Sequence, residues 1–155
     1  MRYTLSILVQ NQSGVLSKVV SLFSRRGYNI DSLVVAPTED ATVSRMTICG
    51  QGDDHILEQM EKQLNKLVPV IKVRSLGENA VASELMLVKI TCETGQIGEI
   101  NEIAKLLGAE AVDVSPGGVI LRLAGDSEKC DTLYKLVKPF GVREVSRTGI
   151  IALEK

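Results

Sequence analysis

The sequence predicts an α+β protein of two tandem βαββαβ units, each an antiparallel sheet with its helices on one face. Three observations predict it. Hydrophobic periodicity switches between strand-like alternation and helical spacing in the order strand, helix, strand, strand, helix, strand over residues 2–76. The same order of elements returns after residue 83, although the letters do not repeat. Between the halves lies a small, polar stretch, LGENAVAS at 76–83, read as a linker. The domains expected are therefore residues 1–77 and 78–155.

Residues 2–10, RYTLSILVQ, alternate. Tyr3, Leu5, Ile7 and Val9 share one face, and Thr4, Ser6, Leu8 and Gln10 the other. Then Val15, Leu16, Val19, Val20 and Phe23 recur at helical spacing. Asn11 to Ser13 offer capping oxygens before that helix. Arg25 and Arg26 suit its carbonyl end, and Gly27 supplies a left-handed stop. YNIDSLVVA and ATVSRMTIC read as a hairpin turning at Pro37, Glu39 and Asp40. Asp53 is positioned to cap a helix striped by Ile56, Leu57, Met60, Leu64 and Leu67, and VPVIKVRSL closes the unit.

In the second half ELMLVKITC is a strand, and IGEINEIAKLLG carries Ile97, Ile100, Ala104 and Leu107 on one helical face, ended by Gly108. AEAVDVS and VILRLAG flank a turn at Pro116-Gly117-Gly118. Asp126 or Ser127 caps a helix with Cys130, Leu133 and Val137 inward, which stops near Pro139-Phe140-Gly141. VREVSRTGIIALEK is one last strand or a pair of short ones.

Composition excludes several functions. Lys plus Arg is 18 and Asp plus Glu 19, a net charge of −1, so no basic excess recommends a nucleic-acid partner. Aromatics are 3% with no Trp, too few for a base-stacking platform. An apolar fraction of 45% argues against a disordered chain. Cys49, Cys92 and Cys130 lie 43 and 38 residues apart with no CxxC, as expected of reduced core thiols in a cytoplasmic protein. No signal-like start and no membrane-length apolar run are present, so no membrane association is expected. The single histidine, His55, sits among acids at a helix start and reads as solvated, without the spacing of a metal site. No phosphate-binding glycine motif is found, and no catalytic constellation is expected.

Each half is small for a self-sufficient core, because a unit of this size buries only about 60–65% of its unfolded surface. Leu8 stands opposite Val9, and Ile48 opposite Cys49, so both strand faces carry apolar groups. Pairing of sheets between copies, giving at least a homodimer, is therefore expected.

One segment suggests a ligand: Asn11-Gln12-Ser13-Gly14-Val15-Leu16, where the first strand turns into the first helix. Amides at a helix start suit a carboxylate, and Asn11 adds an amide that both donates and accepts. A second polar spot is Tyr28-Asn29-Ile30-Asp31, at the opening of the second strand. Together they suit a small zwitterion with an apolar side chain. Asn11, Ser13 and Gly14 equally suit a plain helix cap.

The runs LVQNQSGVLSKVVSLFSRRGYNIDSLVVAPTED, SRMTI and LEQMEKQLNKLVPVIKV closely resemble the small, regulatory subunit of acetohydroxyacid (acetolactate) synthase. The N-x-S-G-V-L-S and R-G-Y-N-I-x-S-L segments are highly specific, and the likeness covers residues 1–77. It continues through ELMLVKI, AEAVDVSP, VILRLAG and VREVSRTGIIAL and is weakest between Thr94 and Leu107. The resemblance implies an N-terminal ACT domain, a ferredoxin-like amino-acid-binding module, and a C-terminal ferredoxin-like domain. It implies a non-catalytic subunit that activates a larger catalytic subunit and confers feedback inhibition by valine in branched-chain amino acid biosynthesis (valine, isoleucine, leucine). Thiamine diphosphate, Mg²⁺ and FAD would belong to that catalytic partner, a thiamine diphosphate-dependent transferase, and none to this chain. Valine would lie between two ACT domains of a dimer, at Asn11, Ser13, Gly14, Val15 and Leu16 of one chain and Asn29 and Ile30 of the other. A generic ACT-domain sensor serving another enzyme or regulator is the other reading.

Overall fold

The computed structural model describes residues 1–155. The first unit contains β1 (Arg2–Gln10), α1 (Val15–Arg25), β2 (Ser32–Pro37), β3 (Val43–Gln51), α2 (Asp54–Asn65) and β4 (Val70–Leu76). Its four antiparallel strands run in the order β2-β3-β1-β4. The second unit repeats the plan with β5 (Ala80–Thr91), α3 (Ile97–Leu106), β6 (Glu110–Ser115), β7 (Gly118–Gly125), α4 (Ser127–Gly141) and β8 (Val142–Arg147), in the strand order β6-β7-β5-β8. This is the tandem βαββαβ plan that the alternating periods predict, and the ferredoxin-like fold that the resemblance implies. The last strand, β9 (Ile151–Glu154), pairs with β5. No helix is long and apolar enough to cross a membrane.

The first core lies between the sheet and its two helices. Tyr3, Leu5, Ile7 and Val9 from β1 meet Val15, Val19, Leu22 and Phe23 from α1 and Met60 and Leu64 from α2. The second core joins Met86, Val88 and Ile90 to Ile100, Ala104, Cys130, Leu133 and Val137. All three cysteines are buried free thiols. Burial, with a hydrogen bond to Glu84 adding to it, pushes the Cys130 thiol up to about 11.

Several expectations change in detail. The linker shrinks to residues 77–79, because β5 already begins at Ala80. The compact units are Met1–Val81 with Ile150–Lys155, and Ala82–Gly149, so the last six residues group with the first unit. The Lys155 amide donates to the Asn79 carbonyl at 3.0 Å. Asp53 does cap α2, accepting from the Ile56 amide at 2.8 Å. Asp126 rather than Ser127 caps α4, accepting from the Lys129 amide at 2.8 Å. That helix carries Pro139 within its last turn and runs on to Gly141. Cys49 and Thr47, on the helix-free face, are already 1% and 2% exposed in a single chain. Their burial therefore needs no second copy, and the case for a dimer rests elsewhere.

Tyr3 carries a buried hydroxyl with no hydrogen-bond partner. Burial raises its pKa, and Asp31 adds to the shift. An unpaired buried hydroxyl costs about 1–3 kcal/mol. Tyr3→Phe is accordingly expected to raise the unfolding free energy by up to about 1 kcal/mol, read from urea denaturation. A clear loss of stability would show that the hydroxyl has a partner after all.

Candidate functional site

Helix α1 begins without a side-chain cap. Its N-cap residue is Gly14, at φ +85°, and no side chain accepts from the first turn. Asn11 to Ser13 therefore do not cap it, contrary to the sequence expectation. The helical ladder starts with the Lys18 amide donating to the Gly14 carbonyl at 3.2 Å, and the first turn carries no acid. The amides of Val15, Leu16 and Ser17 are left without an intrahelical acceptor, at the positive end of the helix dipole. A Cβ on Gly14 would meet nothing within 4 Å, so the glycine serves its left-handed φ and the open space above the amides.

The loop before α1 is tied to the β2–β3 turn. The Asn11 backbone amide donates to the Thr42 carbonyl at 2.8 Å. Its side-chain Nδ2 donates to the Ala41 carbonyl at 3.0 Å, which leaves Oδ1 as a free acceptor. The turn is itself stiffened: Asp40 accepts from the Thr42 hydroxyl at 2.7 Å and from its amide at 2.9 Å. Those two bonds hold the Asp40 carboxyl below the usual carboxylate range.

The other named residues divide. Ser13 is exposed and bonds to nothing as a cap. The Val15 side chain is 5% exposed and belongs to the core, so only its backbone amide is available to a ligand. Leu16 is 44% exposed and offers apolar surface. Asn29 is exposed, and its Nδ2 donates to Asp31 Oδ1 at 3.2 Å. Ile30 is half-buried against the core. Asn29 and Ile30 precede β2 rather than opening it. Asp31, which sequence reasoning noted only as part of a polar spot, is the one carboxylate bonded to these residues. Its offset of two from Asn29 is the local signal that could have singled it out.

Register shows that the two loops do not meet within one chain. Ser32 at the start of β2 is level with Cys49 and Thr4, whereas Pro37 at its end is level with Ser44 and Val9. Asn11 follows Val9 at one end of the sheet. Asn29 lies at the other, where its carbonyl comes close to Gly50. Six residues of strand separate the two ends, about 20 Å.

The helices and strands that frame these loops match known proteins along the whole chain. Residues 5–72 match the family described as AHAS small subunit-like ACT domain, and residues 83–155 match the one described as small subunit of acetolactate synthase. The acetolactate synthase isozyme 3 small subunit of Escherichia coli is 45% identical over 157 residues, covering 100% of this chain and 96% of that protein. The probable acetolactate synthase small subunit of Archaeoglobus fulgidus is 42% identical over 153 residues, 99% of this chain and 96% of its own. In three dimensions the chain is similar to the crystal structure of the acetolactate synthase small subunit from Thermotoga maritima, with a TM-score of 0.93 at 37% identity, covering 100% of this chain and 98% of that one. The chain belongs to the family of acetolactate synthase small subunits and carries that family's ACT domain in its N-terminal half.

Proposed function

We propose that the chain is the regulatory subunit of an acetolactate synthase. In this reading it activates a catalytic subunit and confers feedback inhibition by L-valine in branched-chain amino acid biosynthesis, within the cytoplasm. The catalytic subunit carries the thiamine diphosphate, Mg²⁺ and FAD. The supporting observation is the uncapped start of α1 beside Asn11, at the opposite end of the sheet from Asn29.

A two-fold axis resolves that separation. β2 is an edge strand, and its sequence SLVVAP carries no charge to deter pairing. The other edge, β4, carries Lys72 and Arg74. Antiparallel pairing of β2 with the β2 of a second copy brings the start of one strand beside the end of the other. Asn29 and Ile30 of one copy then approach Asn11 and Gly14 of its partner. The α1 amides receive the carboxylate of valine. The asparagine oxygens and Asp31 receive its ammonium, and Leu16 and Ile30 face its isopropyl group. Neither half of the site suffices, so ligand and dimer stabilise each other. Inhibition follows if valine favours one arrangement of the paired ACT domains and the catalytic subunit reads that arrangement. A typical coupling of about 1–3 kcal/mol changes affinity about 5–150-fold.

Calorimetric titration of the full chain tests this reading. L-Valine is expected to bind saturably and L-lysine not at all. Asn11→Ala and Asn29→His are each expected to weaken valine binding about tenfold or more, for one lost hydrogen bond to a charged group. Unchanged affinity in both variants, measured with the catalytic subunit present as well, would remove these loops from the site.

A further inference from the structure

The first sheet has a charge pattern that the amino-acid site does not use. Its four strands hold no Asp or Glu, yet carry Arg2, Arg45, Lys72 and Arg74. Register puts the last three on the helix-free face: Arg45 and Lys72 both oppose Leu8 from either side, and Arg74 opposes Ser6. The second sheet is different, since it carries acids beside its bases. Glu110 pairs with Arg122, Lys89 stands opposite Glu144, and Glu84 holds Arg147. In a chain of net charge −1, an all-cationic sheet face is a local feature rather than a consequence of composition.

These side chains surround a recess of about 220 Å³ lined by Ser6, Leu8, Arg45, Lys72 and Arg74. Arg45 Nη1 donates to the buried Ser6 hydroxyl at 2.7 Å, which fixes the guanidinium. Neither Arg45 nor Lys72 has a carboxylate within salt-bridge distance. Arg74 pairs with Glu154 of β9, with both side chains about half exposed. Arg45 and Lys72 stand two strands apart, about 10 Å between backbones, a gap that two long side chains close over one bound group. Unpaired like charges so placed repel one another until an anion lies between them.

We propose that this recess binds a small multivalent anion, carrying phosphate or carboxylate groups, between Arg45, Lys72 and Arg74. Arginine offers such oxygens paired donors, and lysine adds a mobile point charge. Glu154 is the internal competitor: it neutralises Arg74 in the free chain and is released when the anion arrives. The site is separate from the α1 start and does not depend on the valine reading.

The full chain in low-chloride buffer is titrated calorimetrically with inorganic pyrophosphate and, separately, with citrate. The expected result is saturable binding of at least one, and the tighter of the two identifies phosphate or carboxylate as the recognised group. Arg45→Gln and Lys72→Gln should each weaken binding about tenfold, the scale of one charge-assisted hydrogen bond. Glu154→Gln should strengthen it several-fold, an outcome that a folding defect cannot imitate. Asn11→Ala should leave it unchanged. Absence of saturable binding by both anions would overturn the proposal, as would binding indifferent to Arg45 and Lys72. Loss of catalytic-subunit association in those variants, without anion binding, would also overturn it and assign the face to an acidic protein surface.

Discussion

Gly14→Asp is expected to abolish valine inhibition of the reconstituted synthase while leaving the chain folded. Gly14 lies at φ +85°, immediately before amides that no side chain caps. An aspartate there would put a permanent carboxylate where the ligand carboxylate is proposed to bind. Like charges brought together in this way cost several kcal/mol, so valine affinity should fall at least about a hundredfold. Folding should survive, because a Cβ at this position has open space. Aspartate tolerates the left-handed region better than most residues, at about 1 kcal/mol. Its charge at a helix start returns about 0.3–1 kcal/mol. Gly14→Ala separates the causes: it imposes at least as much backbone strain without the charge and should retain most of the affinity. Calorimetry on both variants, beside inhibition assays with the catalytic subunit, checks the prediction. A Gly14→Asp holoenzyme that stayed fully valine-sensitive would sink the assignment.

The largest stability effect is expected at Arg147. Its Nε donates to Glu84 Oε1 at 2.7 Å, and its Nη1 to Asp131 Oδ1 at 2.6 Å. The Glu84 side chain is 3% exposed and that of Arg147 33%. The pair joins β5 to β8, and Asp131 ties α4 to it. Removing one member of a buried pair leaves an uncompensated charge at about 3–5 kcal/mol. Because Arg147 is one-third exposed, Arg147→Met should cost near the lower end, about 3 kcal/mol in urea denaturation. Glu84→Met combined with Arg147→Met should recover most of that loss, since apolar residues of similar volume replace buried pairs at little or no cost. If the double variant were as unstable as the single one, the uncompensated Glu84 charge would not be the cause.

Much of this was legible in residue order. The alternation of Tyr3, Leu5, Ile7 and Val9 is the buried face of β1, and the stripe through Met60 and Leu64 is the buried face of α2. Such periodicities are local, and burial of a single face follows directly from them. The cap at Asp53 was equally readable, and that of α4 was narrowed to Asp126 or Ser127, because a carboxylate three residues before an amide is a local arrangement. The start of α1 was readable as a place but not as a mechanism. Asn11 resembles a cap in sequence, yet its side chain goes to the Ala41 carbonyl across the sheet end, a partner thirty residues away.

Residue order alone specified the succession of elements, the two-unit plan and the residues of both candidate loops, because periodicity and turn chemistry act over a few residues. It took the folded chain to show that Asn11 and Asn29 lie at opposite ends of one sheet and that Arg45, Lys72 and Arg74 share one face. Each of those depends on strand register and on which neighbour a strand pairs with. Register is a non-local property, and no spacing within a single strand specifies it.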